Sequence, residues 1–191
     1  MAFRQFCHRL PHHLHFRLLD WLPRFFLIFA ILAGGTAAAT ADDEVDCSSL
    51  RLSVSPEKYD STCELHNYSD YELEFVESSA IDGSHFLVIV DVVTNHRYIF
   101  RGGGGGLQSI LKDYFTQLDV DKWSAGTLRN GFRTAEFISD FKSIPSECVA
   151  FERLLHKVTE GWRRRIIGFG CSRTGDRAQV YEAMDHVNFP E

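Results

Sequence analysis

The feature that most constrains this chain is its N-terminal segment. Residues 1–24 carry four arginines against one acid, and residues 25–33 (FFLIFAILA) contain no polar side chain. Small residues follow, and the end of this stretch, Ala39-Thr40-Ala41, fits the pattern that precedes a signal-peptidase cut. This order is typical of a secretory signal peptide. We therefore expect residues 1–41 to be removed after Ala41 and the protein to be periplasmic or secreted.

Two other interpretations of this segment stay open. Residues 25–41 lack any charge and could remain as an uncleaved membrane anchor. Against this, the strictly apolar run is much shorter than the roughly 20 residues that span a bilayer. The long, arginine-rich start also has the composition of a mitochondrial transit peptide, which the compact apolar block disfavours. Once the leader is removed, we expect no stable membrane insertion.

The cysteine count supports export to an oxidising compartment. One of the five cysteines, Cys7, lies in the leader, which leaves Cys47, Cys63, Cys148 and Cys171. An even number of cysteines in an exported domain predicts two disulfides, and four cysteines allow three pairings. We favour Cys47 with Cys63 and Cys148 with Cys171.

The favoured pairing rests on the register of a predicted hairpin. Residues 148–155 and 163–171 form two strand-like segments, with Thr159-Glu160 midway between them. If those two residues form the loop, Cys148 lies directly opposite Cys171. Opposed residues on antiparallel strands have Cβ atoms close enough for an S–S bond.

The charge of the chain argues against nucleic-acid binding. The net charge is −6, and residues 1–41 contribute +3 from four arginines and one aspartate, so residues 42–191 carry −9. A domain this acidic would have to concentrate its basic groups on one face to bind a polyanion. We therefore expect no nucleic-acid partner.

The hydrophobic pattern predicts one α+β domain over residues 42–191. Alternating or continuous apolar residues indicate strands, and apolar residues at steps of three and four indicate helices. The predicted strands are 50–55, 71–76, 85–93, 96–101 and 132–140 together with the two arms of the hairpin, and the predicted helices are 107–120 and 175–187. Residues 85–93 are the most apolar and should form a central strand, with residues 96–101 returning as its hairpin partner after Thr94-Asn95.

This order predicts a mainly antiparallel sheet of about six or seven strands covered by two amphipathic helices. The order of elements resembles the layered sandwich of the Mog1/PsbP arrangement. The resemblance concerns architecture alone and carries no function.

Five consecutive glycines at residues 102–106 lie between a predicted strand and a predicted helix. Phosphate-binding loops connect a strand to the start of a helix in the same way. The glycine run, however, has neither the P-loop motif nor the glycine spacing of a dinucleotide-binding loop. A flexible surface loop is the default interpretation. If the loop does bind an anion, the candidate residues are Arg101, Gly104, Lys112 and Arg133.

A second basic motif is the run from Arg163 to Arg165 beside Trp162. Cations beside an aromatic ring can bind phosphate or a sugar acid. Side chains alternate along a strand, so Arg163 and Arg165 should point one way and Arg164 the other. A solvated, ion-paired strand end, with Glu152, Glu160 and the other acids as available partners, is therefore the default interpretation.

The remaining motifs give no specific chemistry. The histidines lack zinc-ligand spacing, no nucleophile elbow is present and C-x-x-C is absent, so we predict no metal, no cofactor and no catalytic residue. The favoured hypothesis is a non-enzymatic exported domain that binds a protein or small ligand at the cell envelope. The alternatives are a small hydrolase or transferase with an anion site at residues 102–106, and a structural or stress-resistance envelope protein.

Overall fold

The computed structural model describes residues 43–95, 98–101, 106–140 and 146–189. Within these residues the protein forms an eight-stranded sheet, a two-stranded sheet and two α-helices. The strands are β1 Asp43–Glu44, β2 Ser53–Val54, β3 Tyr59–Asn67, β4 Tyr71–Ala80, β5 His85–Thr94, β6 Thr127–Arg129, β7 Phe132–Ser139, β8 Ser146–Val158, β9 Gly161–Ser172 and β10 Val187–Asn188. The helices are α1 Leu107–Tyr114 and α2 Arg177–Asp185, and a 3-10 turn covers Cys47–Ser49.

The large sheet is antiparallel throughout. Its strand order is β1-β3-β4-β5-β9-β8-β7-β6, and the small sheet pairs β10 with β2. Strand β5 lies near the middle and is buried along most of its length, because seven of its ten residues are apolar and five of these are β-branched. The predicted α+β class and mainly antiparallel sheet are confirmed, although the sheets contain more strands than expected.

The two helices cover opposite faces of the large sheet. On the α1 face, Leu107 and Leu111 pack with Val88 and Val90 of β5. On the α2 face, helix residues such as Val180 pack with the alternate residues of β5, including Leu87 and Ile89. Successive side chains on a strand point to opposite faces, so β5 contributes to both cores.

Near the N-terminus, one predicted strand is shorter in the structure and one observed strand was not predicted. The predicted strand 50–55 is reduced to β2, because the backbone N–H groups of Arg51 and Leu52 bind the Glu74 carboxylate instead of a ladder. Strand β3 was not predicted, because its sequence YDSTCELHN carries polar residues on both faces.

The predicted hairpin partner at residues 96–101 is wrong. Strand β4 occupies one edge of β5 and β9 occupies the other, so no edge is left for it. Phe100 instead forms an isolated bridge with Trp162 at the start of β9. His96 and Arg97 lie outside the described residues.

The helices are shorter than predicted. Helix α1 ends at Tyr114, but Phe115 and Leu118 continue into the core beyond it. Helix α2 begins after Asp176, whose side chain accepts a hydrogen bond from the Ala178 N–H and caps the first turn.

The predicted hairpin register and both predicted disulfides are confirmed. Val158 pairs with Gly161 across the Thr159-Glu160 turn, which places Cys148 opposite Cys171. The structure contains the disulfides Cys47–Cys63 and Cys148–Cys171. No helix in the described part of the chain is both long and apolar enough to cross a membrane.

Gly168 allows β5, β8 and β9 to pack closely. A β-carbon at this position would lie 2.4 Å from the Val88 carbonyl oxygen and 2.7 Å from Phe151 Cζ. We expect Gly168→Ala to lower the free energy of unfolding by about 1–3 kcal/mol through overpacking. Urea denaturation measures this. Gly106→Ala, where a β-carbon meets no atom within 4 Å, should be affected less, and equal losses would contradict the explanation.

Candidate functional site

The predicted anion-binding residues lie on different elements of the chain. Arg133 lies on β7 and pairs with Glu152 of β8. Lys112 is exposed on α1, and Arg101 is exposed next to Phe100. Gly104 lies outside the described residues, so the anion site at residues 102–106 remains a prediction.

Arg133 belongs to a different cluster, on the α1 face. Glu152 is 4% exposed and is contacted by two guanidinium groups. Arg133 Nη2 donates to its Oε2 atom, and Arg165 Nε lies 3.2 Å from its Oε1 atom. Arg165 also lies over the Phe100 ring, with Cζ 4.3 Å from the ring centroid.

Four tyrosines adjoin these charged groups. Tyr114 and Tyr71 pack against the core that contains Phe100. Burial raises the pKa of Tyr114, whereas the Arg165 charge lowers it by a smaller effect. Tyr98 packs edge-on against Phe100. Tyr71 stacks on Tyr68 with centroids 4.4 Å apart. We define the arginine–tyrosine cluster as Arg133, Glu152, Arg165, Phe100, Tyr114, Tyr71, Tyr68 and Tyr98.

The electrostatics of the cluster favour an anionic ligand. Two cations face one carboxylate, so one positive charge is not matched within this triad. The buried Nε atom of Arg133 has no hydrogen-bond acceptor among the described residues, whereas Arg165 Nε faces the Glu152 carboxylate. Guanidinium groups match carboxylate and phosphate geometry, which makes an oxyanion the natural acceptor.

The Tyr114 hydroxyl is a hydrogen-bond donor at neutral pH. Burial raises the pKa of Tyr114, and the neighbouring Arg165 acts in the opposite direction. Burial and the neighbouring tyrosines likewise raise the pKa of Tyr71. Both groups therefore stay protonated over the physiological range and can donate to a ligand oxygen.

The predicted alternation along the arginine run is confirmed. Arg165 faces Glu152 on the α1 face, whereas Arg164 turns to the α2 face and binds Asp91. The predicted ion pairing is confirmed for both residues, but the predicted solvation is wrong for Arg164, which is 2% exposed. The tyrosines were missed, because they lie on separate elements and no local motif connects them.

The α2 face carries a second ionic network, whose central pair is fully buried. Arg164 Nη2 donates to Asp91 Oδ2 at 2.7 Å and Arg164 Nε to both Asp91 oxygens, with Arg164 at 2% and Asp91 at 0% exposure. Glu74 accepts the N–H groups of Arg51 and Leu52, and Arg51 also pairs with Glu72. This network fastens the segment before β2 to the sheet. Asp91 and Arg164 bind one another, and Arg51 forms ion pairs with Glu72 and Glu74, so we assign the network a structural role.

A hydrogen-bonded chain runs through His85 on the same face. Tyr59 Oη and His85 Nε2 are 3.1 Å apart, and His85 Nδ1 and Ser84 Oγ are 2.8 Å apart. Ser84 Oγ donates to Asp82 Oδ1 at 2.7 Å, so its single proton is engaged there. It follows that Nδ1–H donates to Ser84 and that Nε2 accepts from Tyr59.

This chain predicts a pH dependence of stability. Burial lowers the pKa of His85, against the opposing charges of Asp82 and Glu182. A histidine whose folded pKa is depressed binds its proton more weakly than in the unfolded chain. The free energy of unfolding should therefore fall as the pH drops below about 6.5. Urea denaturation at pH 7.5 and 5.5 measures this, and the decrease should be smaller in His85→Gln. An equal decrease in both proteins would contradict the assignment.

Comparison with known proteins adds no assignment: no protein family, no curated protein and no solved structure matches this chain. Among the described residues, no group of three or more His, Cys, Asp or Glu side chains is placed to hold a metal ion. The site must therefore be interpreted from its own geometry.

Proposed function

We propose that this protein is an exported, non-enzymatic domain that binds a protein or small ligand through an anionic group of that ligand. The binding centre is the arginine–tyrosine cluster. Two disulfides are compatible with an exported protein, and the leader pattern of residues 1–41 supports a cut after Ala41. The envelope location, the absence of a nucleic-acid partner and the Mog1/PsbP-like layering belong to the same proposal; helices on both sheet faces support the layering.

One observation carries the binding proposal. Arg133 and Arg165 share a single buried carboxylate. Arg165 Nε faces Glu152 Oε1 at 3.2 Å, whereas the buried Nε–H of Arg133 has no acceptor among the described residues. Leaving a buried donor unsatisfied costs about 1–3 kcal/mol. A ligand oxyanion that accepts from this group would recover part of that free energy. The Arg133 side chain is 38% exposed, so the pair can be reached from solvent.

A thermal-shift experiment tests this proposal. The full chain is expressed with its own leader, purified after export and titrated with sulfate, phosphate and acetate against chloride at equal ionic strength. Binding to the native state raises the melting temperature by mass action. We expect at least one oxyanion to raise it for the wild type and to raise it less for Arg133→Gln.

The matched control is Arg129→Gln, because Arg129 lies on the neighbouring strand β6 and pairs with Asp185 instead of with the cluster. Its response to oxyanions should equal that of the wild type. Equal shifts in wild type and Arg133→Gln, or no shift with any oxyanion, would overturn the proposal.

A further inference from the structure

We infer that the ligand of the arginine–tyrosine cluster is an acidic oligosaccharide, a chain of sugar rings that bear carboxylates. This inference rests on the proposed function and specifies its ligand class. It joins two features on the same face of the sheet: the paired guanidinium groups, and tyrosine rings that are open to solvent. Phe100 connects them, because it contacts both Tyr98 and Arg165. The guanidinium groups match the carboxylate of such a ligand, and the tyrosine rings match its sugar rings.

The tyrosines provide flat rings at the surface. Tyr68 is 45% exposed, and its ring stacks on the ring of Tyr71. Tyr98 is 57% exposed and packs edge-on against Phe100 with centroids 6.2 Å apart. An aromatic residue has an apolar body and, in tyrosine, a polar tip. A pyranose ring has the matching construction, with an apolar C–H face and hydroxyl groups at its edge.

The two exposed tyrosines lie at one end of the sheet. The backbone N–H of Asn95 donates to the Asp70 carbonyl, and the Asn95 side chain donates to the Ser69 carbonyl. These bonds tie Asn95 to the turn between Tyr68 and Tyr71, and the Tyr98 N–H in turn donates to the Asn95 carbonyl at 3.4 Å. Tyr98 contacts Phe100, which Arg165 also contacts. Tyr71, on which Tyr68 stacks, packs against the same core as Phe100.

The charges of the cluster select an acid over a neutral sugar. Arg165 contacts Phe100 with one surface of its guanidinium and Glu152 with its Nε edge. Arg133 adds the second cation, and the exposed Arg101 follows Phe100 directly. Charge-assisted pairing with a carboxylate is roughly twice as strong as a neutral hydrogen bond. A methyl ester of the same sugar retains the ring but loses this pairing.

The overall charge limits the length and type of the anion. Residues 42–191 carry a net charge of −9, obtained by subtracting the +3 of residues 1–41 from the −6 of the chain. A long polyanion would be repelled away from the cluster. A short acidic sugar needs only the local surplus of positive charge, and it stacks through its rings.

Isothermal titration calorimetry tests the inference. The full chain is exported to a bacterial periplasm, where the sequon Asn67-Tyr68-Ser69 is not glycosylated, and is titrated with a linear tetramer of a hexuronic acid. The probe for comparison is the methyl ester of the same tetramer. We expect the acid to bind at least about tenfold more tightly than the ester.

Substitutions of the exposed tyrosines separate ring stacking from charge. Tyr68→Ala and Tyr98→Ala should each weaken binding of the acid by about two- to tenfold, with unchanged thermal shifts for the small oxyanions. Ile81→Ala is the matched control, since Ile81 is 69% exposed in the turn at the opposite end of β4, and its affinity should equal that of the wild type.

The outcomes distinguish this inference from the proposed function. If the acidic tetramer fails to bind while small oxyanions still act through Arg133, the oligosaccharide inference is overturned and the anion-binding proposal stands. If the tyrosine variants bind the tetramer as the wild type does, the inference is overturned as well. If neither the tetramer nor any small oxyanion binds, both the anion-binding proposal and the oligosaccharide inference are overturned.

Discussion

Asp91→Asn is expected to lower the free energy of unfolding by about 3–5 kcal/mol, the usual loss when one partner of a buried ion pair is removed. Asp91 accepts three hydrogen bonds from Arg164, and both side chains are shielded from solvent. Without the carboxylate the guanidinium charge stays buried without its counter-ion. Urea denaturation monitored by circular dichroism measures the change.

A double variant separates the charge effect from packing. In Asp91→Leu with Arg164→Met, both charges are replaced by apolar groups of roughly similar size. Such replacements are often neutral or stabilising. We therefore expect the double variant to be markedly more stable than Asp91→Asn. A double variant as unstable as the single one would show that the hydrogen-bond geometry, and not the unpaired charge, governs stability here.

Cys148→Ala combined with Cys171→Ala should lower the free energy of unfolding by about 2–5 kcal/mol. This disulfide closes a loop with a sequence separation of 23 and lies fully buried in the core under α1. The loss combines greater freedom of the unfolded chain with lost packing against neighbours such as Phe137 and Phe169. Chemical denaturation under non-reducing conditions measures it.

The other disulfide provides the comparison. Cys47–Cys63 has a sequence separation of 16, so its loop-closure contribution is nearly the same. Cys47 is only half-buried, and less packing is lost when this bond is removed. Cys47→Ser with Cys63→Ser should therefore be the milder pair. A change below about 0.5 kcal/mol in both pairs would contradict the view that the disulfides stabilise this fold.

The parts of the fold that followed from the sequence are those with a strong local pattern. The apolar run of β5 and the turn at Thr159-Glu160 were sufficient to predict a central strand and the opposition of Cys148 and Cys171. A two-residue turn fixes the register of a hairpin, so the cysteine pairing needed no knowledge of distant contacts.

The parts that failed depend on long-range contacts. Residues 96–101 have the composition of a strand, yet β9 arrives from far along the chain and takes the edge of β5. Apolar and polar residues alternate over residues 50–55, yet the Glu74 carboxylate accepts the backbone N–H groups of Arg51 and Leu52. Tertiary partners overrode local propensity in both cases.

The candidate site was only partly accessible to sequence reasoning. The sequence indicated Arg133 as a candidate anion-binding residue. It also predicted an ion-paired run from Arg163 to Arg165 with Glu152 as a possible partner. Their joint position on one sheet face depends on the pairing of β7, β8 and β9. The tyrosines come from β4, α1 and two connecting segments, so only the folded arrangement brings them to one place.

The most direct test of the account is the intact mass of the protein recovered from expressing cells after export, measured with and without reduction. We predict a chain that starts at Asp42, lighter by four hydrogens than its reduced form because Cys47–Cys63 and Cys148–Cys171 are closed. Recovery of a chain that still begins at Met1, with all of its cysteines open to alkylation in the native state, would contradict the account.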